Sequence, residues 1–252
     1  MSKLEYSSAE LPLALASVLI ETKRWVVMTG SGVSAESGVP TFRDAQSGLW
    51  AQYEPQQLAT PEAFESNPEI VWQWYQWRRK LIRKTTPNAA HTVLARLQRL
   101  KPELILVTQN VDGLHQRAGS TEVIEFHGCI ERNKCFDCGK RGPKSDSSYP
   151  PTCNTCNGLM RPDVVWFGES IPIAALATSS DAVNACDVFF SVGTSSLVYP
   201  ATALAEMALS RKATTIEINP NSTPLSTRMD FTLQGPAGLW LPVIASLFDK
   251  NS

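Results

Sequence analysis

The sequence predicts an α/β fold in which a parallel sheet is covered on both faces by helices, and three observations carry that reading. Short β-branched runs alternate with longer amphipathic stretches, the pattern of strands joined by crossover helices. One of those runs, Trp25-Val26-Val27-Met28, leads straight into a glycine pair, Gly30 and Gly32. Two segments break the alternation without reading as linkers or repeats. The expected architecture is a Rossmann-like parallel sheet with a smaller lobe built from those two inserts, and a cleft between lobes where ligands commonly bind.

A chain of 252 residues is long enough for one such domain spanning 1–252 with inserts. It is 43% hydrophobic and 19% charged, an ordinary globular composition. The formal net charge of -1 gives no electrostatic reason to expect nucleic acid or an acidic membrane as partner. No apolar run approaches the roughly 20 residues that span a bilayer. Near the N-terminus a short apolar stretch resembles a signal h-region, but Glu5 and Glu10 precede it and a basic n-region is missing, so it reads as an amphipathic helix.

Beyond the first strand, Leu104-Ile105-Leu106-Val107, Val123-Ile124-Glu125-Phe126, Val188-Phe189-Phe190-Ser191-Val192 and Thr215-Ile216-Glu217-Ile218 are strand candidates. Helical stretches lie between several of them, over 88–100 and 200–210. The first insert, 45–85, is helical and dense in aromatics (Trp72, Trp74, Tyr75, Trp77). The second, 129–167, is rich in Gly, Pro, Ser and Asn and carries two Cys-x-x-Cys pairs.

A strand followed by Gly30-Ser31-Gly32-Val33-Ser34-Ala35 and a helix fits the GxGxxG/A pattern. Glycines let backbone approach a pyrophosphate, and the helix start offers free N–H groups. Alone the pattern is also that of a tight β–α turn. A dehydrogenase would show a second strand ending in an acidic residue about 20 positions on. Pro40-Thr41-Phe42-Arg43-Asp44 and the residues after it cannot be a buried strand, so a loop over the cofactor is expected and hydride transfer is not.

Cys135-x-x-Cys138 and Cys153-x-x-Cys156 are separated by 14 residues, a spacing that closes a four-thiolate zinc site with no open position. Such a structural ion would tie down a segment poor in apolar residues. Paired cysteines of this kind in a chain without an export signal point to a reducing compartment, the cytoplasm. Cys129 and Cys186 read as small hydrophobes.

Gln109-Asn110-Val111-Asp112 and Glu125-Phe126-His127-Gly128 each follow a strand directly, at the carboxyl end where open α/β sheets bind ligands. Gln, Asn and Asp together offer the donors and acceptors that read an amide. Among three histidines, His91 falls in a helix and reads as structural, and His115 could orient its own loop. His127, between a strand end and a glycine, is the general-base candidate.

Together these residues resemble the sirtuins, the NAD-dependent protein deacylases. The resemblance rests on the run from Thr29 to Arg43, on Gln109-Asn110-Val111-Asp112, Phe126-His127-Gly128 and the four paired cysteines, on Val164-Val165-Trp166-Phe167-Gly168-Glu169, Gly193-Thr194-Ser195 and Ile218-Asn219. The matches keep the family's order from about residue 20 to 240. Ser31 departs from it, the family usually having alanine there, which bears on the phosphate contacts.

The resemblance implies NAD as a co-substrate that is cleaved. Gly30, Ser31, Gly32, Ala35, Thr41, Arg43, Gln109, Gly193, Thr194, Ser195 and Ala237 would surround it, with Asn219 near the adenosine ribose and Phe42 shielding the reactive ribose. Asn110 and Asp112 would hold the nicotinamide amide. The acyl oxygen of a modified lysine in a protein substrate would attack the ribose as nicotinamide leaves, His127 would take a proton from the ribose hydroxyls, and acylated ADP-ribose and free lysine would result. Val164, Val165, Trp166 and Phe167 would line the acyl-lysine tunnel and pair with the substrate as an added strand.

Tyr75 and Arg78, three apart on a helix, face the same way and could receive a carboxylate, or could simply pack and leave Arg78 in water. The resemblance bears on this choice, because a Tyr-x-x-Arg pair here is similar to that of the class III sirtuins, which remove succinyl and malonyl groups. Ala59 also matches that class, leaving room for a longer acyl chain. The expectation is therefore a deacylase preferring succinyl- and malonyl-lysine, with weaker deacetylase activity. A mono-ADP-ribosyltransferase using the same ribose activation, and a non-catalytic acyl-lysine reader, are the alternatives. The intact Asn110, Asp112 and His127 argue against the reader.

Overall fold

The computed structural model describes residues 10–41, 50 and 53–249. Its main sheet has six parallel strands in the order β3-β2-β1-β7-β8-β9: β1 (Trp25–Thr29), β2 (Ile105–Thr108), β3 (Val123–Glu125), β7 (Val188–Val192), β8 (Thr214–Asn219) and β9 (Phe231–Gln234). The chain lays strands outward from β1 on one side, then returns to β7 on the other, which makes the gap between β1 and β7 the topological switch point.

Strand alternation decides what each face buries. Trp25 and Val27 of β1 join Val188, Phe190 and Val192 of β7 in one core, under helices α1 (Leu13–Glu21), α6 (Ala89–Leu100) and α10 (Ala237–Ser246). Val26, Met28 and Phe189 point the other way, under α8 (Ile173–Ala185) and α9 (Ala201–Ser210). Every residue of β1 and β7 is buried, as central parallel strands require. The edge strand β9 was not among the sequence expectations. Only a short 3-10 turn (Ser226–Arg228) separates it from β8, so the strand-helix rhythm gives no warning of it.

The smaller lobe combines helices with a second sheet. After α2 (Ser31–Ala35) and α3 (Pro55–Leu58), the Thr60 and Asn67 side chains accept from the starts of α4 (Pro61–Ser66) and α5 (Pro68–Lys84). Each cap stands before a proline that needs no hydrogen-bond partner, the usual way to open a helix. The sheet is antiparallel, order β5-β4-β6, from β4 (Gly128–Cys135), β5 (Arg141–Gly142) and β6 (Met160–Val164). Phe64, Val71, Trp74, Tyr75 and Ile82 of the helices pack against Ile130, Val164 and Trp166 in one shared core. Arg79, 2% exposed, donates to the carbonyls of Ile130 (2.6 Å) and Arg132 (3.3 Å) and to Asn133 Oδ1 (2.6 Å), bolting α5 to β4. Among the described residues no helix is long and apolar enough to cross a membrane.

Candidate functional site

The carboxyl ends of β1, β2 and β7 meet at the switch point, and glycines let them meet. Gly30 N donates to Val192 O (2.9 Å) and Gly32 N to Gly193 O (2.8 Å). A Cβ on Gly30 would stand 2.8 Å from Gly193 O, and one on Gly193, whose φ is +59°, would stand 2.6 Å from Val33 N. These glycines are therefore required first for two loops to touch backbone to backbone, whatever they do for a ligand. Ser31 and Ala35, one helical turn apart on α2, are exposed, and Thr41 is half-buried. Phe42 and Arg43 lie outside the described residues.

From this junction two hydrogen-bond chains run along the strand ends. In the first, Asn110 Nδ2 donates to Gly30 O and to Ser34 Oγ, each at 2.9 Å. Ser34 donates in turn to Asp112 Oδ2 (2.7 Å), whose other oxygen accepts Leu114 N (2.8 Å) at the start of α7 (Leu114–Arg117). In the second, Asn219 Nδ2 donates to Thr194 O (2.7 Å) and Gln109 Nε2 to Thr194 Oγ1 (3.1 Å), while Gln109 O faces His127 Nδ1 at 3.0 Å. A carbonyl oxygen only accepts, so Nδ1 carries the proton and Nε2 is the basic nitrogen. Burial pushes the His127 imidazole below its ordinary range, against the opposing hydrogen bond to Gln109. Nearby, the buried Ser196 hydroxyl has no hydrogen-bond partner among the described residues, the kind of orphan a ligand satisfies. Ser195 is half-buried between the two.

Ala237 opens α10 and is buried, and the next amide, Gly238 N, donates to both oxygens of Glu36 at 3.1 Å. Glu36 follows α2, so the glycine loop and the start of α10 are held together. Two histidines sit beneath the site rather than in it. His91 completes a capping box with Asn88, and His115 Nε2 meets Thr29 Oγ1 at 2.9 Å, tying α7 back to β1.

Behind His127, β6 passes into the wall of the smaller lobe. Val165 N donates to His127 O (2.9 Å), Trp166 N to Glu169 Oε2 (2.8 Å) and Phe167 N to Ala59 O (2.9 Å). With these three donors spent inside the chain, a substrate strand laid on this stretch would pair as the donor, through its own N–H groups. The buried Trp166 indole N–H donates to Tyr75 Oη at 2.8 Å. Burial pushes the Tyr75 phenol up to about 12, so it remains protonated and a donor at neutral pH. Arg78 stacks 5.0 Å from the Trp74 ring centroid; burial lowers its pKa, opposed by electrostatic attraction to the Tyr75 hydroxyl oxygen and the Asp112 carboxylate.

The four paired thiols converge at the ends of β4 and the following turns. Their sulfurs lie within 4.8 Å of one another, Cys135 to Cys156 at 3.4 Å and Cys138 to Cys153 at 3.7 Å. Four sulfurs placed ~2.3 Å from a tetrahedral zinc stand about 3.8 Å apart, so the cluster fits a structural zinc ion. Backbone N–H groups of Thr155 and Cys156 pull the Cys153 thiol down to about 6, toward the thiolate that zinc takes.

Comparison with known proteins then decides the family. Residues 30–200 match the model of the Sir2 family. This chain belongs to the Sir2 family. A Sir2 relative from Aquifex aeolicus, named NAD-dependent protein deacylase, is 46% identical over 225 residues, covering 88% of this chain and 94% of the relative. One of the same name from Ralstonia nicotianae is 46% identical over 240 residues, covering 94% and 97%. A solved Sir2 homologue in complex with NAD superposes with a TM-score of 0.88 at 40% identity, covering 96% of each chain.

Within this Sir2 chain the sequence reading singled out no role for Ser34, Glu36, Arg79 or Arg161. Ser34 and Glu36 lie inside the glycine motif, where small and acidic residues attract attention only through their partners. Arg161 directly follows the apolar pair Leu159-Met160, a cation in the approach to Val164, and that was the available signal.

Proposed function

We propose that this chain is an NAD-dependent protein-lysine deacylase that prefers succinyl- and malonyl-lysine and removes acetyl groups more weakly. The deacylase reading is supported by the names of the Aquifex and Ralstonia relatives and by the NAD complex of the solved homologue. The observation that carries it is the unbroken chain Asn219–Thr194–Gln109–His127, which spans the strand ends and leaves His127 Nε2 as the base.

In that reading Gly30, Ser31, Gly32, Ala35, Thr41, Gln109, Gly193, Thr194, Ser195, Asn219 and Ala237 surround NAD, joined by Phe42 and Arg43. NAD supplies a ribose carbon that the acyl oxygen can attack as nicotinamide departs. Asn110 and Asp112 hold the departing amide, their side chains oriented by Ser34 and Gly30. His127 accepts a ribose hydroxyl proton at Nε2. The acyl-lysine enters past Val164, Val165, Trp166 and Phe167, and zinc on Cys135, Cys138, Cys153 and Cys156 holds the small lobe. Acylated proteins of the cytoplasm are the proposed partners.

The acyl preference rests on Tyr75 and Arg78, with Ala59 leaving space. A protonated phenol and a guanidinium on one helix face together receive a carboxylate. Mass-spectrometric turnover of matched acetyl, malonyl and succinyl peptides, with and without NAD, tests it. Arg78→Met removes a charge-assisted hydrogen bond of about 1.5–3 kcal/mol, so succinyl-peptide kcat/KM should fall roughly 10- to 100-fold more than acetyl-peptide kcat/KM. A mutant that keeps the wild-type preference removes the carboxylate receptor.

A further inference from the structure

We propose that Arg161 and Glu169 are positioning residues for acyl-lysine recognition, acting through Trp166 on the hydroxyl of Tyr75, an assignment that rests on reading the Tyr75–Trp166 wall as the acyl channel.

The pair is bidentate. Arg161 Nη1 donates to Glu169 Oε1 at 2.5 Å and Nη2 to Oε2 at 2.9 Å, with Arg161 only 2% exposed. Burial pushes the Glu169 carboxyl up, but the bonds from Arg161 and Trp166 N outweigh it and hold the group below its usual range. Buried ion pairs contribute little net stability, because desolvation offsets their attraction; their value lies in the geometry they impose.

That geometry converges on one residue. Arg161 Nη2 also donates to Val164 O (2.8 Å), and the guanidinium lies 3.2 Å from the centroid of the Trp166 ring. Glu169 Oε2 receives Trp166 N (2.8 Å). One ion pair thus holds the backbone before Trp166, its own amide, and the face of its indole. So held, the indole aims its N–H at Tyr75 Oη (2.8 Å). Indole is a donor only, so the phenol oxygen accepts and its own proton is directed elsewhere. Loosening Arg161 or Glu169 frees Trp166, and with it the direction of that O–H.

The test uses the zinc-loaded full chain, with KM and kcat measured for NAD and for acetyl- and succinyl-lysine peptides of one sequence. Glu169→Gln and Arg161→Lys should each raise the KM for the succinyl peptide about 5- to 10-fold and that for the acetyl peptide less, with the KM for NAD changing less than about 2-fold. Trp166→Phe, which keeps a ring and drops the N–H, should raise the succinyl KM more than the acetyl KM. A pair with a merely structural role would move the NAD and peptide constants together, and that result, or unchanged peptide constants, overturns the assignment. If the ion-pair variants do not fold, Trp166→Phe decides alone, an unaltered succinyl-to-acetyl ratio counting against it. A wild type without succinyl preference would sink the Tyr75–Arg78 reading instead, and the NAD-against-peptide split in Glu169→Gln would still decide the pair.

Discussion

Ser34 gives its hydroxyl proton to Asp112 Oδ2 at 2.7 Å and accepts Asn110 Nδ2 at 2.9 Å, so one small side chain orients both residues proposed to hold the nicotinamide amide. The direction is forced, since a carboxylate only accepts. Ser34→Ala removes both bonds while Asn110 keeps Gly30 O and Asp112 keeps Leu114 N. Losing a hydrogen bond to a charged group of about 1.5 kcal/mol should raise the KM for NAD about tenfold. The same loss should lower the thermal midpoint by about 3–6 °C in a domain of this size. An unchanged KM for NAD would dismiss the orienting role.

His127 should set the acid limb of the pH profile. As a base it acts when neutral, and burial places its pKa below the ordinary 6.5. The kcat/KM for acyl peptide should therefore rise with pH and reach its plateau with a midpoint below 6.5. His127→Tyr should abolish turnover while the thermal midpoint stays near wild type. A midpoint above neutrality, or a variant with full turnover, would take the proton transfer away from this residue.

The central sheet was legible because burial on both faces writes itself as nearly continuous apolar runs, as in Trp25 to Met28 and, broken only by Ser191, Val188 to Val192. The edge strand β9 was not, since Phe231-Thr-Leu-Gln234 is four residues with a single fully buried side chain. In the smaller lobe β4 reads Gly-Cys-Ile-Glu-Arg-Asn-Lys-Cys, too polar for a strand pattern, because thiols and Arg79 hold it in place of a large apolar face. Of the site, the motif residues at the ends of β1, β2 and β7 could be read from spacing. The Arg161–Glu169 pair could not, because the seven positions between them follow neither helical nor strand periodicity, and only the turn at Phe167 and Gly168 brings them together.

The zinc cluster has too little apolar support to stand alone, its own buried core being Cys135, Cys153 and Met160. Structural zinc contributes about 10–16 kcal/mol of apparent binding free energy, which such a core cannot replace. Metal analysis should find one zinc per chain, and Cys153→Ser should lose it together with the β4–β6 sheet, seen as a lower thermal midpoint and faster amide exchange across β4 and β6. A Cys153→Ser protein that unfolds at the wild-type temperature would make the metal dispensable.

The buried histidine pair predicts acid sensitivity. His91 and His115 have ring centroids 4.8 Å apart and both are buried; burial and the neighbouring His91 push His115 down to about 3, and burial lowers His91 too, opposed by Asp112. A folded-state pKa below the unfolded value means that the unfolded chain takes up protons first. For His115 the stabilisation is thus full above the ordinary 6.5 and is lost progressively as pH falls from there toward about 3. Within that window each pH unit removes up to about 1.4 kcal/mol per such group. Urea midpoints measured at pH 7.5 and about 5.0 should fall further for wild type than for His115→Gln, which retains an amide to meet Thr29 but does not titrate. Parallel falls in the two proteins would show that His115 is not the group taking up the proton, and would move the acid sensitivity to His91 or the carboxylates.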